Sequence, residues 1–481
     1  MAREEFDLII IGSGPGGYVA GIRAGQLGLK VAVVEKDPKF GGTCLHRGCI
    51  PTKALLHTAS MLDEIREVGS LGIEVAAPRL DVAKAHERKR KVVDKSARGI
   101  ESLFKKYKVT GMQGRGRLLG AHEVEVEGKG GRQALGARHV MIATGSVPRD
   151  IPIARADGKS ILNSDHILVM ERVPKSLAVL GAGAVGTEFA SLFASFGSEV
   201  TLIEMLPRVL PIEDEEVSAE LERALRKRKI KVMTGTTLAA AEASGAPGSS
   251  AALESRASGD GGVVKLTLDR QGKSESLTVE ILLSAVGRRP VTEDLGLEAL
   301  GVELDRGYVR VNPTMQTAVP HIYAIGDVVN TPWLAHVASA EGILAVEHMA
   351  GLPVRPLNYD HVPNCTYCEP EVASVGLSEA KARERGYEVA VGKFPFTALA
   401  KAAIIGHTQG FVKVVRETRY DELLGVHIVG PHATDMIAEG VAALTMEATD
   451  EELLHTIHPH PTLSEAVGEA AHAALGHAIH F

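Results

Sequence analysis

Two glycine-rich turns constrain this chain more than any other feature: Gly12-Ser13-Gly14-Pro15-Gly16-Gly17 and Gly181-Ala182-Gly183-Ala184-Val185-Gly186. Each follows a short apolar run, Phe6–Ile11 and Leu177–Leu180, fit for a buried parallel strand. Helical stretches are expected from Tyr18 and Thr187, followed by second strands at Val31–Val34 and Val200–Ile203. Those strands end at Glu35 and Glu204, and each acid stands 23 residues beyond the first glycine of its turn. In such a G-x-G-x-x-G turn, Gly12 and Gly181 permit the tight bend, and Gly14 and Gly183 let backbone approach a pyrophosphate. Gly17 and Gly186 let the helix pack on the strand, and the helix N-terminus supplies free N–H groups and a positive dipole end. The acid at the second strand tip accepts hydrogen bonds from a ribose diol. The pattern, repeated at one spacing, predicts two dinucleotide-binding modules in one chain. A carboxylate at Glu204 accepts from a free 2′-hydroxyl and repels a 2′-phosphate, which favours NAD over NADP.

Each module closes with a strand that runs into a glycine turn, Val140–Ser146 in the first and Ile281–Gly287 in the second. A further strand, Ile322–Ile325, ends in Gly326-Asp327. At 481 residues the chain has room for about three domains. Its 51 glycines are about 11% against a usual ~7%, an excess that belongs in turns and close backbone approaches. The Ala-, Ser- and Gly-rich stretch Ala239–Gly262 cannot hold a core and is expected to be a flexible surface loop. The basic run Glu87-Arg88-Lys89-Arg90-Lys91 is expected on a solvated helix face. A net charge of −7 disfavours nucleic-acid and anionic-membrane partners, and no apolar run reaches the ~20 residues of a membrane span. The acidic start of the chain does not resemble a secretory signal, and four cysteines are too few for a disulfide framework, so a cytoplasmic protein is expected.

The chemistry sits in Gly41-Gly42-Thr43-Cys44-Leu45-His46-Arg47-Gly48-Cys49-Ile50-Pro51-Thr52-Lys53. Pro51 marks a helix start, so Cys49 falls near a helix N-terminus, where a thiolate is stabilised. Lys53 lies one turn on, on the same face. A thiolate and an ammonium can then face one flat cofactor together.

This segment resembles the redox-disulfide signature of the class I pyridine nucleotide-disulfide oxidoreductases. The two modules are similar to that family's FAD and NAD domains. His458-Pro459-His460-Pro461-Thr462-Leu463-Ser464-Glu465-Ala466 resembles the C-terminal motif of its dihydrolipoyl-oxidising branch. The resemblance implies an α/β fold of two Rossmann-like modules plus a C-terminal α+β dimerisation domain. Its segments would be 1–150 for FAD with the redox disulfide, 151–280 for NAD, 281–350 completing the FAD domain, and 351–481 for dimerisation. Cys44 would exchange with substrate sulfurs, and Cys49 would lie against the flavin as the charge-transfer thiolate. Lys53 would sit near flavin N5 and pair with Glu188. Glu35 would hold the FAD ribose and Asp327 the ribityl chain. Gly42, Thr43, Gly116, Ala143, Thr144, Gly145, Ser146, Gly287, Leu334, Ala335 and His336 complete the implied cofactor contacts, although His336 reads equally as a packed helix-start histidine.

Thiol exchange needs a base, and an imidazole is suited to it. The family motif selects His460 over His458, oriented by Glu465 and reached across a two-fold axis, which makes a homodimer obligatory. The implied substrate is the dihydrolipoyl group of a 2-oxo-acid dehydrogenase E2 component or of the glycine-cleavage H-protein, supplied in trans. Three features depart from the family pattern. His46 and Arg47 add positive charge between the thiols and are expected to lower a thiol pKa, while Thr52 replaces the usual serine. Cys365-Thr366-Tyr367-Cys368 reads as packing thiols, as a second redox pair, or as part of a metal site with His361. Among sister enzymes, mercuric-ion and large thioredoxin reductases need further C-terminal thiols, glutathione reductase needs basic residues where Glu204 stands, and soluble transhydrogenases usually lack the cysteine pair. A non-enzymatic flavoprotein scaffold would not need Cys44, Cys49, Lys53, His460 and Glu465 together.

Overall fold

Along the first strand, Phe6, Ile9 and Ile11 pack into one core and Leu8 and Ile10 into another. A strand buried on both faces needs cover on both sides, the situation of a parallel sheet between two layers. The computed structural model of the chain describes residues 4–243 and 262–481. Two compact units emerge: Met1–Ala54, His86–Arg149 and Arg288–Tyr359 in one, and Leu55–Ala85, Asp150–Gly287 and Asp360–Phe481 in the other.

In the first unit the sheet runs Thr110–Gln113, Val31–Glu35, Glu4–Ile11 and Gly131–Ile142, with Glu123–Gly128 and Arg115–Gly120 continuing it and Ile322–Ala324 pairing to Gly131–Ile142. Ile10 sits between Val33 and Met141 in parallel register. The helix Pro15–Gln26 follows the first glycine turn, starting three residues earlier than the sequence suggests. Pro15 takes the first helical position, where its missing N–H costs nothing. The third glycine therefore lies inside the helix rather than ahead of it.

The second unit repeats the plan. Its five-stranded parallel sheet runs Lys231–Met233, Glu199–Ile203, Ser176–Leu180, Ile281–Ser284 and Ile161–Leu162. The helix Ala184–Phe196 also begins three residues before the expected Thr187. Leu177 and Val179 face one core, and Ala178 and Leu180 another. Part of the supposed loop is sheet, because Ala239–Ala243 belongs to the strand Thr236–Ala243, paired antiparallel with Val264–Arg270. Residues 244–261 of that stretch lie outside the described residues. A C-terminal five-stranded antiparallel sheet carries the helices Ala433–Thr445 and Glu465–Ala474 over a core that includes Val412, Val414, Val426 and Ile428. The basic run lies in the helix Val82–Lys106, but Lys89 is buried, with Nζ 2.9 Å from His86 Nδ1. No helix among the described residues is long and apolar enough to cross a membrane.

Asp450, at the start of the helix Asp450–His455, is fully buried, and its carboxylate has no hydrogen-bond partner among the described residues, with Arg416 Nε 3.7 Å away. Burial pushes its carboxyl up to about 6, against the pull of Arg416 and with the help of Asp421. The folded protein thus keeps a proton that an unfolded chain releases near pH ~3.9. That contribution to stability is complete below pH ~4 and is lost as the pH rises through the folded value. Asp450→Asn should therefore gain stability relative to the native chain between about pH 4 and about pH 7, by up to about 2 kcal/mol. Paired thermal unfolding curves test this, and an equal offset at both pH values would contradict it.

Candidate active site

Glu35 is 5% exposed and Glu204 7%, and both use their carboxylates on their own glycine turns. Glu35 Oε2 accepts from the Ser13 N–H at 3.0 Å and the Ser13 hydroxyl at 2.6 Å, while Oε1 accepts from the Asp37 N–H at 2.9 Å. Glu204 repeats the arrangement, with Oε2 on the Ala182 N–H at 2.7 Å and Oε1 on the Leu206 N–H at 2.9 Å. The shared spacing thus produces one geometry twice.

The glycines divide by what a side chain would meet. A Cβ on Gly17 would stand 1.9 Å from the Gly12 carbonyl oxygen, and one on Gly186 1.9 Å from that of Gly181. Gly12 and Gly181 have φ of +108° and +99°, and a Cβ there would press on the Ala143 and Ala285 carbonyl oxygens. At Gly14 and Gly183 a Cβ would meet nothing within 4 Å. No atom of the described residues requires a glycine at these two middle positions. Open space beside a helix N-terminus suits the close approach of a phosphate, so both turns fit a dinucleotide.

Gly42 opens the short helix Gly42–Arg47, and a Cβ on it would lie 2.5 Å from Gly14 Cα. The thiol segment therefore rests directly on the first turn. Thr43 and Cys44 lie in this helix, and Cys49 begins the helix Cys49–Glu67 that carries Lys53. Both cysteines are half-buried. The Cys44 thiol donates to Cys49, and this bond first, then burial and the Cys49 charge, push its pKa well up, while the Lys53 ammonium pulls it down. Burial and the hydrogen bond to Cys49 thus disfavour charge on Cys44, while Cys49 stands at a helix N-terminus, a position suited to a thiolate.

The spacer residues have partners of their own. Arg47 Nη2 lies 2.5 Å from Asp37 Oδ2, and His46 Nε2 lies 2.8 Å from the Phe40 carbonyl oxygen. A cavity of about 300 Å³ opens beside Cys44, lined by Pro15, Tyr18, Ile50, Ser96, Ala335 and His336. Leu334 caps the helix that begins at Ala335. Tyr18, which nothing in the sequence singled out, has its pKa raised chiefly by burial. A larger cavity of about 690 Å³, along residues 289–299 and 304–307, contains none of the candidate residues.

Asp327 is brought to Ser146, whose hydroxyl donates to its Oδ2 at 2.5 Å. Arg288, directly after Gly287, donates Nε to that hydroxyl at 2.7 Å and Nη2 to the Ser146 carbonyl at 2.8 Å. Burial raises the Asp327 carboxyl against the pull of Ser146 and Arg288. The only signal for Arg288 was a basic residue at a strand exit. Thr144 turns its hydroxyl to the Val291 carbonyl at 2.6 Å, and the missing side chain of Gly116 makes room for Ile11 and Val34.

In the second unit Glu188 is buried and accepts the Tyr367 N–H at 3.1 Å. His460 Nδ1 lies 2.8 Å from Glu465 Oε1, and Glu465 Oε2 accepts the Thr462 N–H at 2.8 Å. The imidazole is 73% exposed and oriented by that single carboxylate. Burial raises the Glu465 carboxyl, but these bonds outweigh it and hold the pKa below the usual range. His458 is half-buried and engaged 2.6 Å from Glu439 Oε1. Of the remaining thiols, Cys368 packs in one core and donates to the Pro370 carbonyl at 3.0 Å, while Cys365 packs against another core. That division favours packing over a second redox pair.

The family model for pyridine nucleotide-disulphide oxidoreductases matches residues 6–342, and the model for the same family's dimerisation domain matches 362–471. The chain is 46% identical to a dihydrolipoyl dehydrogenase of Bacillus subtilis, with 99% of each chain covered. It is 40% identical to a mitochondrial dihydrolipoyl dehydrogenase of Pisum sativum, covering 99% of this chain and 93% of that one. The crystal structure of LpdA from Mycobacterium tuberculosis superposes with a TM-score of 0.87 at 26% identity, covering 97% of this chain and 99% of the other. The dimerisation domain and these relatives support a homodimer. By these matches the chain belongs to the pyridine nucleotide-disulphide oxidoreductase family, with FAD and NAD as its cofactors.

Proposed function

We propose that this protein oxidises dihydrolipoyl groups to lipoyl groups with reduction of NAD⁺, the net change being dihydrolipoyl group plus NAD⁺ to lipoyl group, NADH and H⁺. The observation that carries the reading is the hydrogen-bonded Cys44–Cys49 pair on two successive helix starts, under the charge of Lys53. Full-length relatives named dihydrolipoyl dehydrogenase support the substrate class. The four segments 1–150, 151–280, 281–350 and 351–481, and a cytoplasmic location, belong to the same proposal.

In the oxidised protein Cys44 and Cys49 share a disulfide. His460 of the partner subunit takes the proton of one substrate thiol, and the thiolate attacks Cys44 Sγ, releasing Cys49 as a thiolate. The second substrate thiol attacks the sulfur joined to Cys44, closing the lipoyl disulfide and freeing Cys44. Its proton ends on Cys44, the thiol that burial and Cys49 hold protonated. Glu465 keeps its charge at neutral pH and so steadies the imidazolium formed at His460. When bound, FAD would supply the two-electron redox chemistry that links the dithiol to the nicotinamide. Gly12, Gly14, Gly17, Glu35, Ser146 and Asp327 would hold FAD, and Gly181, Gly183, Gly186 and Glu204 would hold NAD. Lys53 would pair with Glu188 and keep its ammonium near the reacting sulfurs. The dihydrolipoyl group would be presented by an E2 component of a 2-oxo-acid dehydrogenase complex or by the glycine-cleavage H-protein.

Anaerobic titration of the yellow protein with NADH and, separately, with dihydrolipoamide should develop the same long-wavelength absorption band. A response only to NADPH with glutathione disulfide would refute the assignment. Cys44→Ser should abolish dihydrolipoamide oxidation and His460→Gln should slow it about 100-fold or more. Refolding the two inactive variants together should restore about a quarter of native activity, because one site of each hybrid dimer is intact. No recovery from verified hybrids would refute a site shared between subunits.

A further inference from the structure

Glu341 lies on the helix Ala335–Met349 and has no exposed surface at all, 0%. Its Oε2 accepts the Gly326 N–H at 2.7 Å, and its Oε1 accepts the Tyr359 hydroxyl at 3.0 Å. Gly326, at φ +69°, begins the single turn Gly326–Val328 that carries Asp327. The helix behind Glu341 is pressed onto the helix of the first glycine turn, since a Cβ on Gly342 would stand 2.8 Å from the Gly16 carbonyl oxygen. From the other side Asp327 is tied to Ser146, and Ser146 to Arg288. The turn is therefore gripped at its backbone by one carboxylate while its own carboxylate stays near the surface of the site.

A carboxylate taken fully out of water is costly unless its oxygens are hydrogen-bonded, and an apolar side chain would fill the same volume without that cost. A buried carboxylate that spans two elements of the unit holds a backbone N–H that no apolar residue can hold. We infer that Glu341 is a positioning residue for FAD: by holding the Gly326 N–H it sets the turn from which Asp327 reaches the ribityl chain. The inference rests on the reading that Asp327 binds that chain. Glu341 acts as an acceptor, so a glutamine, which keeps an amide oxygen for Gly326, preserves the function.

The readout is the rate at which FAD leaves the full-length holoenzyme on dilution, followed as rising flavin fluorescence. Asp327→Ala and Glu341→Leu should each speed release about 10-fold or more, and Glu341→Gln should stay within about 3-fold of the native protein. If Glu341 acts through Asp327, the double variant Asp327→Ala/Glu341→Leu should match the faster single variant rather than the product of the two effects. Multiplying effects would overturn the positioning role, as would a Glu341→Gln protein that loses FAD as fast as Glu341→Leu. An unchanged release rate in Asp327→Ala alone would instead refute the ribityl reading. If Glu341→Leu does not fold, Glu341→Asp, too short to reach both donors, replaces it in the same cycle.

Discussion

No side chain fits between the first helix of either module and the turn that precedes it. At Gly17 and Gly186 a Cβ would stand 1.9 Å from a carbonyl oxygen, far inside contact distance. From that one exclusion the rest of each module follows. The helix approaches the strand end closely, its N-terminus faces the open space at Gly14 or Gly183, and the next strand tip comes within reach of the turn. Glu35 and Glu204 then each tie the strand tip to the turn through one backbone N–H, and accept a second from the residue two positions on. In the first module the exclusion extends further, because Gly42 lies so close to Gly14 that the thiol helix is seated on the phosphate turn.

The thiol pair draws its asymmetry from that seating. Cys44 sits in the short helix on the turn and hands its proton towards Cys49, which opens a 19-residue helix. The helix N-terminus favours charge at that end, while burial penalises it at Cys44 against the pull of Lys53. Two chemically identical side chains thus stand in different surroundings. Arg47, in the spacer between the thiols, pairs with Asp37.

Much of the site was legible because its residues recur at fixed short spacings. Gly12 to Glu35, Gly181 to Glu204, Cys44 to Lys53 and His460 to Glu465 each lie within one supersecondary unit, where chain geometry converts spacing into distance. Helix starts were less legible, since Pro15 and Ala184 enter the helix ahead of the third glycine rather than after it. Lys89 shows the limit of composition: a charged run marks a helix, but the packing against that helix decides which of its cations is buried. The strand Thr236–Ala243 shows the same limit, because its small residues owe their extended form to the partner strand Val264–Arg270.

Arg288, Glu341 and Tyr18 stood outside any motif. Arg288 meets Ser146 across 142 positions of sequence, and Glu341 grips a turn that begins 15 residues earlier through a bond with no local periodicity. The sequence by itself determined the two nucleotide-binding modules, the acids at their strand tips, the dithiol with its lysine and the histidine with its glutamate. These depend on steric and hydrogen-bonding rules that act over one turn, one strand or one helix. Only the tertiary structure decided how deeply each thiol is buried, which partners surround it and what holds Asp327 in place. Those outcomes depend on burial and on partners from distant segments, and both arise only when the layers close.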